Sequence, residues 1–128
     1  MQFPAVCPEV PVGDLAAALA YYRDRLGFTV DWSDEALGLA GVSRGRSRLF
    51  LGNAAFRAHL GTSAAPVVLW LNLANRDEVD ALHAQWRAAG ASLDAPPDAK
   101  PYGLYEFLAF DLDRNILRVF YDFGGDAA

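Results

Sequence analysis

Apolar residues recur at helical spacing in two parts of the chain and alternate with polar ones in most of the rest. Asp14 precedes Leu15, Leu19, Tyr22 and Leu26, a stripe at i, i+4, i+7 and i+11. Gly27 follows where a left-handed cap belongs, so an amphipathic helix is predicted here. A second helix is predicted behind Asp77 or Asn75 as cap, with Val79, Leu82, Trp86 and Ala89 on one face and Gly90 closing it. His83, between Leu82 and Gln85, reads as a helix-surface residue.

Alternation predicts strands over residues 3–12, 28–32, 37–42, 48–51, 66–73 and 91–93. Pro4, Pro8 and Pro11 cannot donate to a ladder, which makes the first of these an edge strand. Residues 53–65, which include His59, show no sustained period and read as a connecting loop. After a proline-rich corner comes the sequence Pro101-Tyr102-Gly103, an aromatic strand, a turn at Asp111-Leu112-Asp113-Arg114-Asn115 and a return strand through Val119-Phe120-Tyr121. Glu106 reads as an outward ion partner on that hairpin, and Asp111 as a turn cap.

The two halves repeat one order: strand, capped helix ending in Gly, three strands. Each half alone is too small to close a core, so one domain over 1–128 is expected, with modules at about 3–52 and 66–122 and a linker at about 53–65. The predicted class is α+β: paired βαβββ modules forming a curved, mixed, mostly antiparallel sheet around a cleft, with the helices outside.

Composition narrows the function classes. Apolar content of 53% with 21% charged residues is that of a globular chain. A formal net charge of −5 works against nucleic acid as a partner, because phosphate binding needs clustered Lys and Arg. No apolar run reaches the roughly 20 residues of a membrane span, and the N-terminal stretch lacks a signal-peptide pattern, so a cytoplasmic protein is expected. Cys7 is the only cysteine, which excludes an intrachain disulfide; it reads as a small buried hydrophobe. Phosphate-loop, nucleophile-elbow and Cys-x-x-Cys patterns are all missing.

Val12-Gly13-Asp14-Leu15, the run from Tyr21 to Phe28, Pro101-Tyr102-Gly103, Glu106-Phe107 and the Asp111 to Asn115 turn together resemble the glyoxalase/bleomycin-resistance/dioxygenase group, the vicinal oxygen chelate superfamily. Within it the chain looks most like the bleomycin-resistance binding proteins. The resemblance implies the paired βαβββ architecture and a homodimer whose clefts are built by both chains, with domain swapping as one form of it. The family turn usually reads Asp-Pro-x-Gly-Asn; Leu112 and Arg114 depart from it here, and Asn115 is the residue expected to take the left-handed conformation. Tyr102 stands where the family corner usually has tryptophan.

Enzymes of this superfamily hold a divalent metal with His, Gln or Glu side chains. The resemblance places those positions at Cys7, Phe50, Val68 and Arg118. A lone thiol, two apolar groups and a cation do not make a metal site, so no cofactor and no metal are expected. The concave faces implied by the resemblance would carry Glu9, Arg48, Phe50, Trp70, Asn72 and Arg118, with Trp32, Leu39 and Tyr102 at the rim.

The expected function is metal-independent binding of a small planar or aromatic molecule by a homodimer, as in antibiotic sequestration. Arg48 and Arg118 add positive charge, which makes an anionic or neutral ligand at least as suitable as bleomycin, with Glu9 available to neutralise one arginine. Two alternatives stand beside it. One is a glyoxalase- or dioxygenase-type enzyme with a displaced site, for example from Cys7, Glu9 and Glu106. The other is an interaction module whose cleft is filled by its own side chains.

Overall fold

The computed structural model describes residues 1–60 and 66–126. The chain divides into two compact units, Met1–Val67 and Val68–Ala128. In the first, β1 (Glu9–Pro11) leads to α1 (Leu15–Asp24), then to β2 (Thr29–Asp34), β3 (Leu39–Arg44) and β4 (Ser47–Gly52). The sheet order is β1-β4-β3-β2, with β1 parallel to β4 and the other pairs antiparallel. In the second unit β5 (Val68–Asn72) leads to α2 (Arg76–Ala88), then to β6 (Ser92–Leu93), β7 (Asp98–Ala99), β8 (Leu104–Phe110) and β9 (Ile116–Asp122). Its order is β5-β9-β8-β6, with β7 also on β8, and β5 runs parallel to β9. The predicted α+β class and the repeated order of elements are therefore present, the second unit adding a short strand within the proline-rich corner.

Helix caps follow the sequence signals. The Asp14 side chain accepts from the Ala17 amide at 3.0 Å, and Asn75, rather than Asp77, accepts from the Glu78 amide at 2.9 Å. Leu15, Ala18, Leu19, Tyr22 and Leu26 of the first helical segment are buried with Val10, Ala40, Val42, Leu49 and Leu51 of the sheet. Gly27 has φ 76°, and a Cβ there would lie 2.9 Å from the Arg44 guanidinium, which itself donates to the Leu26 carbonyl at 2.7 Å. Glycine is thus required both for the left-handed turn and for the close approach.

On α2, Val79 and Trp86 are buried against the sheet. His83 belongs to that same face: its ring packs edge-on against Phe107 at 5.0 Å, beside Trp86 against Phe107 at 5.8 Å. The expectation of a surface histidine is corrected accordingly. Among the described residues no helix is long and apolar enough to cross a membrane.

Tyr105, on the same side of β8, donates to Asp80 of α2 at 2.6 Å. This bond to a carboxylate holds the phenol above its usual value near 10. A group whose folded pKa is raised contributes stability that is complete below its unfolded pKa and is lost as pH rises through the folded one. The thermal stability difference between the parent chain and Tyr105→Phe is therefore expected to be constant from neutral pH to about 10 and to shrink above it. Melting curves across that range test this.

Three sequence expectations are corrected by the backbone. The first strand is short, Glu9–Pro11 rather than 3–12, and Phe3, Val6 and Cys7 ahead of it are exposed. Pro4 and Pro8 remove amide donors, so the register with β4 begins only where the Phe50 amide meets the Pro8 carbonyl at 2.9 Å. Cys7 is consequently not the buried hydrophobe expected. In the β8–β9 turn the left-handed residue is Arg114, φ 69°, not Asn115. Asn115 is fully buried, donating to Asp111 at 2.9 Å from both its amide and its side chain, and that fixed role leaves the strained position to its neighbour. The connecting segment expected over 53–65 is described only to Leu60; residues 61–65 lie outside the described residues.

Candidate functional site

The face of each sheet opposite its helix carries the polar chemistry. In the first unit, Val42, Ala40, Leu49 and Leu51 point to α1, so alternation sends Leu39, Gly41, Arg48 and Phe50 to the other side. Across the ladder, Glu9 pairs with Phe50, Phe50 with Gly41 and Gly41 with Trp32, which makes one continuous row. Trp32 reaches that row through the register shift between Val30 and Trp32. One extra residue in β2 reverses the side of everything after it, and without it Trp32 would share the face of Val30.

The Trp32 indole then lies over Gly41, where a Cβ would stand 2.6 Å from Nε1, and tilts against Phe50 at 5.9 Å. Glu9 is ion-paired with Arg57 from the loop after β4. Sequence alone does not point to Arg57, which lies in an aperiodic stretch 48 residues from Glu9. Its Nε is buried without an acceptor among the described residues. Arg48 is exposed and Leu39 half-buried on the same face.

In the second unit Phe107 packs on α2, so Glu106 and Leu108 face the other way, together with Arg118 and Phe120 of β9 and Trp70 and Asn72 of β5. Register places Trp70 beside Arg118 and Asn72 beside Phe120. Val68, the metal position implied by the resemblance on this strand, pairs with Ile116 and lies on the same face.

Glu106 is the centre of this face and only 1% exposed. One carboxylate oxygen accepts from the Tyr102 hydroxyl. The other accepts from Arg118 Nε at 2.5 Å. Arg118 Nη2 also lies 3.4 Å from the Tyr102 oxygen, and its guanidinium sits over the Trp70 ring at 4.7 Å. Trp70 in turn meets Phe120 edge-on at 5.6 Å. The expected outward ion partner is thus an inward one. Period-two alternation names the face of Glu106, but not the Tyr102 corner that closes over it. The left-handed Gly103, φ 88°, follows Tyr102 in that corner.

Trp70 and Tyr102 remain about half exposed, at 50% and 56%. Beside them a recess of about 50 Å³ is lined by Asp94, Asp98, Lys100, Glu106, Leu108 and Arg118, among others. Lys100 Nζ is 2.8 Å from Asp98, and this bond raises the ammonium's pKa above its usual value. The nine residues expected at the site therefore fall on two faces: Glu9, Trp32, Leu39, Arg48 and Phe50 in the first unit, and Trp70, Asn72, Tyr102 and Arg118 in the second. Glu9 does neutralise an arginine, but that arginine is Arg57, while Arg118 is neutralised by Glu106.

The metal positions implied by the resemblance do not fit a divalent ion. Cys7 is exposed ahead of β1, Phe50 and Val68 offer no donor, and Arg118 is a cation already engaged with Glu106. Among the described residues no three His, Cys, Asp or Glu side chains are grouped so as to hold a metal ion. Glu9 and Glu106, the carboxylates of the displaced-site alternative, are each held by an arginine of their own unit.

No curated protein matches the chain in sequence. Solved structures do match its fold. A glyoxalase/bleomycin resistance protein/dioxygenase from Nocardioides superposes with a TM-score of 0.79 at 21% identity, covering 98% of this chain and 87% of the other. Lactoylglutathione lyase from Agrobacterium tumefaciens gives 0.77 at 19% identity, covering 94% and 96%. A bleomycin-binding protein in complex with bleomycin gives 0.74 at 22%, covering 93% and 98%. The family model for this group matches residues 5–119, nearly the whole chain. The chain belongs to the glyoxalase/bleomycin resistance protein/dioxygenase superfamily.

Proposed function

We propose that this protein binds a small planar or aromatic molecule without a metal, as a homodimer in the cytoplasm, in the manner of a sequestering protein. The observation that carries the reading is the second unit's helix-free face. Two half-exposed aromatic side chains, Trp70 and Tyr102, flank a guanidinium locked between an indole and a buried carboxylate. Exposed aromatic faces around a few fixed polar groups are the usual composition of a small-molecule site. The residues at the implied metal positions lack the donors that catalytic relatives would need. The likeness to a bleomycin-binding protein supports a binding role. Domain swapping is the form of the dimer that would let both chains build each site.

Native mass spectrometry of freshly purified, untagged protein tests this. The expected spectrum shows twice the 13.9 kDa chain mass, no stoichiometric divalent metal, and a carried-over organic adduct or an empty dimer that accepts one on titration. One metal equivalent per chain, removed by chelation together with a catalytic turnover, would overturn the reading.

A further inference from the structure

Arg118 makes only part of the set of hydrogen bonds available to a guanidinium. Of its five N–H groups, Nε donates to Glu106 and Nη2 makes one long contact with Tyr102; among the described residues nothing else accepts from it. Its side chain is 30% exposed, so the remaining Nη donors are open to solvent. The group is also fixed in place, with the Trp70 ring at 4.7 Å and Glu106 at 2.5 Å. Glu106 lines the recess but is 1% exposed, and each of its oxygens already accepts a hydrogen bond. The polar edge presented beside the exposed aromatics is therefore a preorganised pair of donors suited to bidentate recognition of a carboxylate.

The recess next to Arg118 sets the size of the group. A water molecule needs roughly 10–15 Å³ of such space; about 50 Å³ accommodates a head group of a few heavy atoms and no ring. Lys100 lines it as well, its ammonium paired with Asp98. Asp98 lines it too but is bonded to Lys100, and Asp94 is exposed at its margin.

We infer that the second unit's face recognises a flat aromatic carboxylate, its carboxylate entering the recess against the Nη edge of Arg118 and its ring lying against Tyr102 and the uncovered part of Trp70. This rests on the proposed binding function and names the chemistry of the ligand. Asp98 and Glu106 are offset by Lys100 and Arg118, which leaves the exposed Asp94 as the excess charge of the lining, so the preference rests on the directional Nη donors and not on net charge.

The test is calorimetric titration of the untagged protein with three probes sharing one ring system: naphthoate, naphthamide and naphthylmethylammonium. Naphthoate is expected to bind about tenfold tighter or better than the other two, as a charge-assisted hydrogen bond supplies. Arg118→Lys retains a cation for Glu106 but lacks the fork, and is expected to lose most of that preference while melting close to the parent. Equal affinity for all three probes would overturn the carboxylate inference and leave flat-ligand binding standing. Tighter binding of the ammonium, or a preference undiminished in Arg118→Lys, would also overturn it. Binding of none of them would overturn the inference and the binding function together.

Discussion

Replacing Arg118 by alanine is expected to destabilise the protein by about 3 kcal/mol, the lower end of what removing one partner of a buried ion pair costs. Glu106 is 1% exposed and would be left with the Tyr102 hydroxyl as its remaining partner. The lower end applies because the arginine side chain is itself 30% exposed and part of the pair's energy is screened. The guanidinium's contact with Trp70 is lost as well. Neutralising both sides should recover most of the loss: Glu106→Leu with Arg118→Leu removes the charge and its partner together, a replacement that is often neutral or favourable. Urea denaturation of the parent, the single and the double variant measures this. A single variant within about 0.5 kcal/mol of the parent would mean that Glu106 is solvated and not the sealed centre of the face.

The second large effect lies in the turn that orients β9. The Asp111 carboxylate accepts from the Asp113 amide at 2.8 Å, and from the Asn115 amide and side chain at 2.9 Å each. Asn115 is fully buried, so Asp111→Ala removes an acceptor that water cannot readily replace. With about 1–3 kcal/mol for each buried donor that loses its acceptor, and the half-buried Asp113 amide able to find solvent, a loss of about 2–6 kcal/mol is expected. Asp111→Asn keeps an oxygen for the backbone amides but turns an NH₂ toward that of Asn115, so an intermediate loss is expected. An alanine variant as stable as the asparagine one would contradict the assigned hydrogen bonds. The functional consequence follows from register: Arg118 stands three residues beyond Asn115, and loosening the turn loosens the donor edge.

The features legible in the sequence were those set by local chemistry. Asp14 and Asn75 as caps, Gly27 and Gly90 as left-handed terminators, and Asp111 as a turn residue each act on neighbours a few positions away. The alternation of β5 and β9 likewise put Trp70, Asn72, Arg118 and Phe120 on one face. Depth and partnership were not legible. Glu106 looks like any strand carboxylate until Tyr102 folds over it, and Arg57 gains its meaning only when a loop carries it to Glu9. Arg114 illustrates a different limit. Its φ of 69° costs an arginine roughly 1–2 kcal/mol, a cost accepted because Asn115 is already committed to Asp111. A propensity argument assigns the strained position to the residue that tolerates it best; the fold assigns it to the residue left over.

Because the arginine is fixed by Glu106 and Trp70, the face should bind without help from an ion. The most direct measurement is a fluorescence titration of the protein with naphthoate before and after exhaustive dialysis against EDTA, with Trp70→Phe alongside. The expected result is saturable quenching with the same affinity in both preparations, and weaker quenching in the Trp70 variant. Binding that disappears on chelation and returns with a divalent metal would contradict a metal-independent site built on Arg118.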